Sequence, residues 1–142
     1  MSEQTTNIKT LEKLIFEILS DMFFVFPEDE EPEMPEEVYE GVISINGNTS
    51  MYLHFFIAPE LAKVMAENFI GEEMISEEDI LETVKEFVNM VAGNYIGIID
   101  PEGKRELGLP KVKRVKTSEI KRLTEIHKYQ VESCFLGFWV EE

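Results

Sequence analysis

Ser76-Glu77-Glu78-Asp79-Ile80-Leu81-Glu82-Thr83-Val84-Lys85-Glu86-Phe87-Val88-Asn89-Met90-Val91-Ala92-Gly93-Asn94-Tyr95-Ile96 is the stretch on which the reading of this chain turns. Ser76 followed by Asp79 has the pattern of a capping box, and carboxylates in the first turn suit the positive end of a helix dipole. The spacing predicts a helix over 76–96. On a wheel of about 100° per residue, Ile80, Phe87, Val88, Val91 and Tyr95 fall within about 60° of Val84 and form one buried stripe. Glu82, Glu86, Asn89 and Gly93 gather opposite it, at about 140–200°. Glu86 and Asn89 are three apart, so their side chains are neighbours on an exposed face. Gly93 is out of place there, because a helical glycine costs about 0.5–1 kcal/mol relative to alanine. A bare turn beside a carboxylate and an amide suits the close approach of another macromolecule. Fraying or a tight helix crossing explains the glycine equally well on the residues alone.

Outward from this helix, the rest of the chain reads as helices and adjacent strands. Residues 8–24 predict a first long helix, with Leu11, Leu14, Ile15, Ile18, Leu19 and Met22 on its apolar stripe and Pro27 beyond its end. Residues 27–37 carry seven acids and three prolines, which predicts a solvated loop. Two strand-like runs, 38–45 and 49–57, flank Asn46-Gly47, the signal of a tight hairpin. Pro59 opens and Gly71 closes a short helix containing Leu61, Val64, Met65 and Phe69. After the signature helix, Asp100-Pro101-Glu102-Gly103 predicts a turn, and 111–116 a strand. A short helix is one reading of 117–124, and 129–140 predicts two strands broken near Gly137 or one long bent strand. The fold class is α+β, a mostly antiparallel sheet with two long helices packed on it. With 142 residues, the expectation is a single domain over 1–142.

Composition narrows the function. Hydrophobic residues make up 44% and charged residues 30%, as in a globular chain, and no apolar run is long enough to span a bilayer. No secretory signal is recognisable, and the single Cys134 fits a reducing cytoplasm as a buried, inert thiol. A net charge of −16 argues against nucleic acid and anionic membranes. Residues 104–128 do hold nine cations against three acids, yet no aromatic residue among them on which a base could stack. A P-loop, a Gly-x-Ser-x-Gly elbow, a His-Glu-x-x-His pair and a cysteine phosphatase loop are all missing. The two histidines, His54 and His127, fall on predicted strands and read as structural. No resident metal or organic cofactor is expected.

Glu86-Phe87-Val88-Asn89-Met90-Val91-Ala92-Gly93-Asn94 resembles the signature helix of the CheC/CheX/FliY chemotaxis phosphatases, in which Glu-x-x-Asn leads into Ala-Gly-Asn. Phe23-Phe24, the hairpin, and Leu107-Gly108-Leu109-Pro110-Lys111-Val112 also resemble the family's layout. The CheC type carries two Glu-x-x-Asn motifs. Here the first helix offers only Glu17-Ile18-Leu19-Ser20, so the chain is more similar to the single-motif CheX type.

The resemblance implies a CheC-like fold and a phosphatase acting on the phospho-aspartate of a CheY-like response regulator. It implies that Glu86 docks against a lysine of the receiver and that Asn89 orients the attacking water. Gly93, Glu82 and Asn94 would adjoin the receiver, the receiver would supply Mg²⁺, and the enzyme would be a homodimer. The alternative is a CheC-like receiver-binding or flagellar-switch module without turnover.

Overall fold

The computed structural model describes residues 3–142, with side chains from residue 7 onward. Three helices, α1 (Glu3–Phe23), α2 (Pro59–Ile70) and α3 (Glu77–Ile99), pack on an antiparallel sheet. Its strands are β1 (Pro27–Glu28), β2 (Glu37–Asn46), β3 (Met51–Ile57), β4 (Glu106–Leu107), β5 (Lys111–Lys116), β6 (His127–Val131) and β7 (Cys134–Glu141). They lie in the order β1-β6-β7-β3-β2-β4, and β5 also pairs with β2. Two 3-10 turns, Thr117–Glu119 and Leu123–Glu125, occupy the stretch whose helicity the sequence left open.

The sheet's inner face is apolar by alternation, as a half-covered antiparallel sheet requires. Tyr39, Ile43 and Ile45 of β2 are buried, as are Leu53, Phe55 and Ile57 of β3 and Leu136 and Phe138 of β7. Gly41 interrupts the β2 series because α3 lies against its backbone. A Cβ placed there would stand 2.7 Å from Val88 Cγ2 and 3.6 Å from Val84 Cγ1. Phe87 then sits between Phe23 and Phe55, edge to face, with ring centroids 5.8 and 5.5 Å away. These contacts fix both the height and the rotation of α3.

The ends of α3 are held by polar groups. Ser76 Oγ accepts the Asp79 N–H at 3.1 Å and the Asp79 carboxylate accepts the Ser76 N–H at 3.1 Å, completing the predicted capping box. The Tyr39 hydroxyl donates to Glu77 at 2.7 Å, and Arg114 of β5 lies 3.7 Å from the same carboxylate. At the other end the helix runs one turn past the predicted Ile96, to Ile99, before Gly103 turns the chain at φ 72°.

Four expectations need correction. The first helix starts at Glu3 and stops at Phe23; Phe24 leaves it at φ 53°, which buries Phe23 and leaves Met22 41% exposed. The acidic loop is not wholly free, since Pro27–Glu28 pairs with Gln130 and Val131 of β6. The hairpin exists but its loop is residues 47–50: Asn46 stays in register with Glu106 of β4, and the Arg105 side chain crosses Gly47. The last two strands break at Glu132-Ser133, not at Gly137. Those two residues have φ 49° and 64°, the left-handed pair that a tight hairpin needs. Bonds from the preceding segment support them: Glu28 accepts the Ser133 N–H at 2.7 Å, and Glu132 accepts the Phe26 N–H at 3.0 Å. Gly137 lies inside β7, where a Cβ would meet Ile126 at 2.6 Å. Ile126 belongs to the 117–126 segment, which crosses the sheet's outer face.

Gly41→Ala must force the Val88 contact apart. We expect a loss of about 1–3 kcal/mol, the usual cost of overpacking, read as a lower denaturant midpoint.

Candidate functional site

The seating of α3 on Gly41 and Phe55 turns one of its faces fully outward. Ile80, Val84, Phe87, Val88, Val91 and Tyr95 are all buried, as the wheel requires. Glu82 and Glu86 are exposed, and Asn89 and Gly93 are half-buried on the outer side. Glu86 and Asn89 stand one turn apart, about 4.5 Å along the axis at 1.5 Å per residue. Among the described residues neither side chain has a hydrogen bond or ion pair, so both polar groups face solvent ready-made.

Their neighbours on the helix are already engaged. Glu82 pairs with Lys85 at 3.3 Å. The Asn94 amide donates back to the Met90 carbonyl at 2.7 Å, which leaves its oxygen and one N–H for a partner. Gly93 lies six residues inside the helix end, and a Cβ there would meet nothing within 4 Å. Neither of the bland explanations, fraying or a tight crossing within this chain, accounts for it. Gly97, one turn further on, is equally bare. The sequence reading passed over Gly97; its spacing of four from Gly93 was the available signal.

Glu17-Ile18-Leu19-Ser20 of α1 offers no second copy of this arrangement. The Ser20 hydroxyl donates to the Phe16 carbonyl at 2.9 Å, and Glu17 lies 4.0 Å from Lys13. Cys134 is no nucleophile in waiting: burial, together with Glu60, Glu132 and Glu28, raises its pKa. Among the described residues no group of three or more His, Cys, Asp or Glu side chains could hold a metal ion, and no helix is long and apolar enough to cross a membrane. A cleft of about 730 Å³ is lined by residues including Ile8, Arg122, His127 and Trp139 and shares no residue with α3. The motif therefore lies outside that cleft, on an outward helix face. A carboxylate can dock against a cation and an amide can hold a water, but a partner must complete any reaction.

Comparison with known proteins gives the family and the fold. Residues 39–133 match the family model of the chemotaxis phosphatase CheX. The match spans well over half of the chain, which belongs to that family. No curated protein matches it in sequence. Among solved structures, it is similar to a chemotaxis protein CheX from Desulfovibrio desulfuricans, with TM-score 0.75, 15% identity, and 95% and 97% of the two chains covered. A chemotaxis protein CheX from Vibrio vulnificus has TM-score 0.75 and 19% identity over 99% and 100%. A chain of the CheX–CheY–BeF3–Mg²⁺ complex from Borrelia burgdorferi has TM-score 0.73 and 17% identity over 96% and 98%. At these identities the likeness is one of fold, and the fold is CheC-like.

Gly93→Ala tests whether anything inside the chain requires the glycine. With open space around the added methyl, we expect about 0.5–1 kcal/mol of added stability, seen as a higher denaturant midpoint.

Proposed function

We propose that this chain dephosphorylates the phospho-aspartate of a CheY-like receiver by inserting the Glu86–Asn89 face of α3 into the receiver's active site. The supporting observation is the pair of unengaged polar groups on an outward helix turn, next to the bare Gly93, in a chain of the chemotaxis phosphatase CheX family. The Borrelia CheX relative is held with CheY, BeF3 and Mg²⁺ in its structure, which gives this reading its partner class.

In the proposed reaction a water attacks phosphorus in line with the acyl phosphate. The P–O bond to the aspartyl group breaks, the carboxylate leaves, and inorganic phosphate forms. Asn89 holds the water through its amide, which needs no shifted pKa for that task. Glu86 pairs with a receiver lysine and sets the depth of insertion. Gly93 gives the receiver clearance, with Glu82 and Asn94 at the margin of the contact. The receiver supplies the Mg²⁺ that neutralises charge on the phosphoryl oxygens, so the phosphatase needs no cofactor of its own.

The roles separate in a phosphate-release assay run beside a binding titration. Asn89→Ala lowers turnover by roughly 10²-fold or more and leaves receiver affinity nearly unchanged, because its contact with the water matters at the transition state. Glu86→Ala weakens affinity by roughly thirtyfold or more, mainly through the off-rate. Gly93→Leu blocks binding by bulk, and Glu82→Ala changes little. Wild-type turnover in Asn89→Ala would remove Asn89 from the chemistry, and phosphate release by the unaltered chain no faster than the receiver's own hydrolysis would leave a receiver-binding module without catalysis.

A single motif per chain fits one site per subunit of a homodimer. We expect sedimentation to give twice the chain mass at micromolar concentration. A strict monomer would count against the CheX-type assembly.

A further inference from the structure

The sheet face away from the helices carries a titratable cluster that the proposed reaction does not use. At its centre is His54 of β3. Its ring stacks on Trp139 of β7 with centroids 4.5 Å apart, and lies nearly parallel to Phe56 at 6.5 Å. Nε2 is 2.8 Å from the Glu141 carboxylate of β7. Nδ1 is 3.8 Å from the Glu40 carboxylate of β2, too far for a hydrogen bond but close for an ion pair, and it has no other partner among the described residues. The side chain is only 13% exposed. One imidazole thus stands between carboxylates borne by the strands on either side of its own.

Other charges around the ring do not take over its role. Lys113 of β5 lies 4.0 Å from Glu40, on an exposed side chain. Arg122 of the 117–126 segment sits over the Trp139 ring at 5.8 Å, facing the indole rather than a carboxylate near His54. Glu119 and Lys121 line the same cleft and balance each other in sign.

We propose that His54 is a proton-operated clasp, which when protonated ties Glu40 of β2 and Glu141 of β7 to β3 at once and when neutral keeps Glu141 and releases Glu40. Only the imidazolium has two N–H donors, so only that form can serve both carboxylates at once. The neutral ring can donate from Nε2 to Glu141, and then presents a lone pair to Glu40. Burial works against the charged form, but the two carboxylates outweigh it and raise the His54 pKa above the ordinary histidine value. The sign of the linkage follows. A histidine raised in the folded state contributes stability that is whole below its unfolded value and fades as pH climbs through its folded one.

The test uses the full chain and its own reporter. Trp139 is the only tryptophan, and a stacked imidazolium quenches indole emission more than a neutral ring does. We expect Trp139 fluorescence to rise with pH in a transition centred above 6.5, tracking the His54 ring signals in a proton NMR titration. Glu141→Gln and Glu40→Gln each shift the midpoint downward, and His54→Gln removes the transition. His127→Gln keeps it. The denaturant midpoint of the wild type falls across the same pH window relative to that of His54→Gln. A ring midpoint at or below 6.5, a transition that survives in His54→Gln, or parallel stability curves would each overturn the proposal. Should His54→Gln fail to fold, the ring titration of the unaltered protein decides alone.

Discussion

Val88 resting on the bare backbone of Gly41 is the contact on which the rest of the molecule depends. A long helix on a sheet can rotate about its own axis unless something locks it. Here the lock is a missing Cβ on β2 matched to a branched side chain on α3, with Phe87 wedged between Phe23 and Phe55 on the adjoining side. Interiors pack at crystal-like density, so such a seat leaves little play. Half a turn around the helix, that rigidity becomes the fixed outward aim of Glu86 and Asn89. Their precision comes from the core beneath them rather than from contacts of their own.

This explains why so much of α3 was legible before any coordinates. A helix amphipathic over five turns reports its buried and exposed faces through spacing alone, and its cap is written in neighbouring residues. The long strands β2 and β3 and the helix from Pro59 to Gly71 were legible for the same local reasons. What the sequence concealed depends on distant partners. Glu132 and Ser133 adopt left-handed backbone because Phe26 and Glu28, a hundred residues away, bond to them. Gly137 looked like a strand break and is instead a landing for Ile126. Asn46-Gly47 promised a two-residue turn, but strand β4 claims Asn46. Gly93 was ambiguous for a related reason: only the empty space around it separates internal packing from external clearance.

The candidate site differs from most enzyme sites in lying on an exposed helix face. A pocket enzyme encloses its substrate and excludes water by burying it. An exposed helix face can do neither, and in the proposed reaction the receiver brings the metal, the electrophile and the enclosing walls. The helix supplies only what the receiver lacks, a fixed dock and a held water. Such an arrangement makes few demands on the rest of the fold, which agrees with a CheC-like architecture kept at 15–19% identity to its neighbours.

The sheet order also bears on how the chain is made. Strand β3 lies at the centre of the sheet, with β2 on one side and β7, the final strand, on the other. Beyond β7 lies β6, and beyond that β1 from the start of the chain. While the chain emerges from the ribosome, β2 and β3 can close their hairpin early, but β3 keeps an open, apolar edge until the β6–β7 hairpin arrives. The first strand waits just as long for its neighbour. Long-range pairing of this kind slows folding and prolongs the life of sticky intermediates. The dense acidic run after α1 is present throughout that interval, and like charges on nascent chains keep their open edges apart.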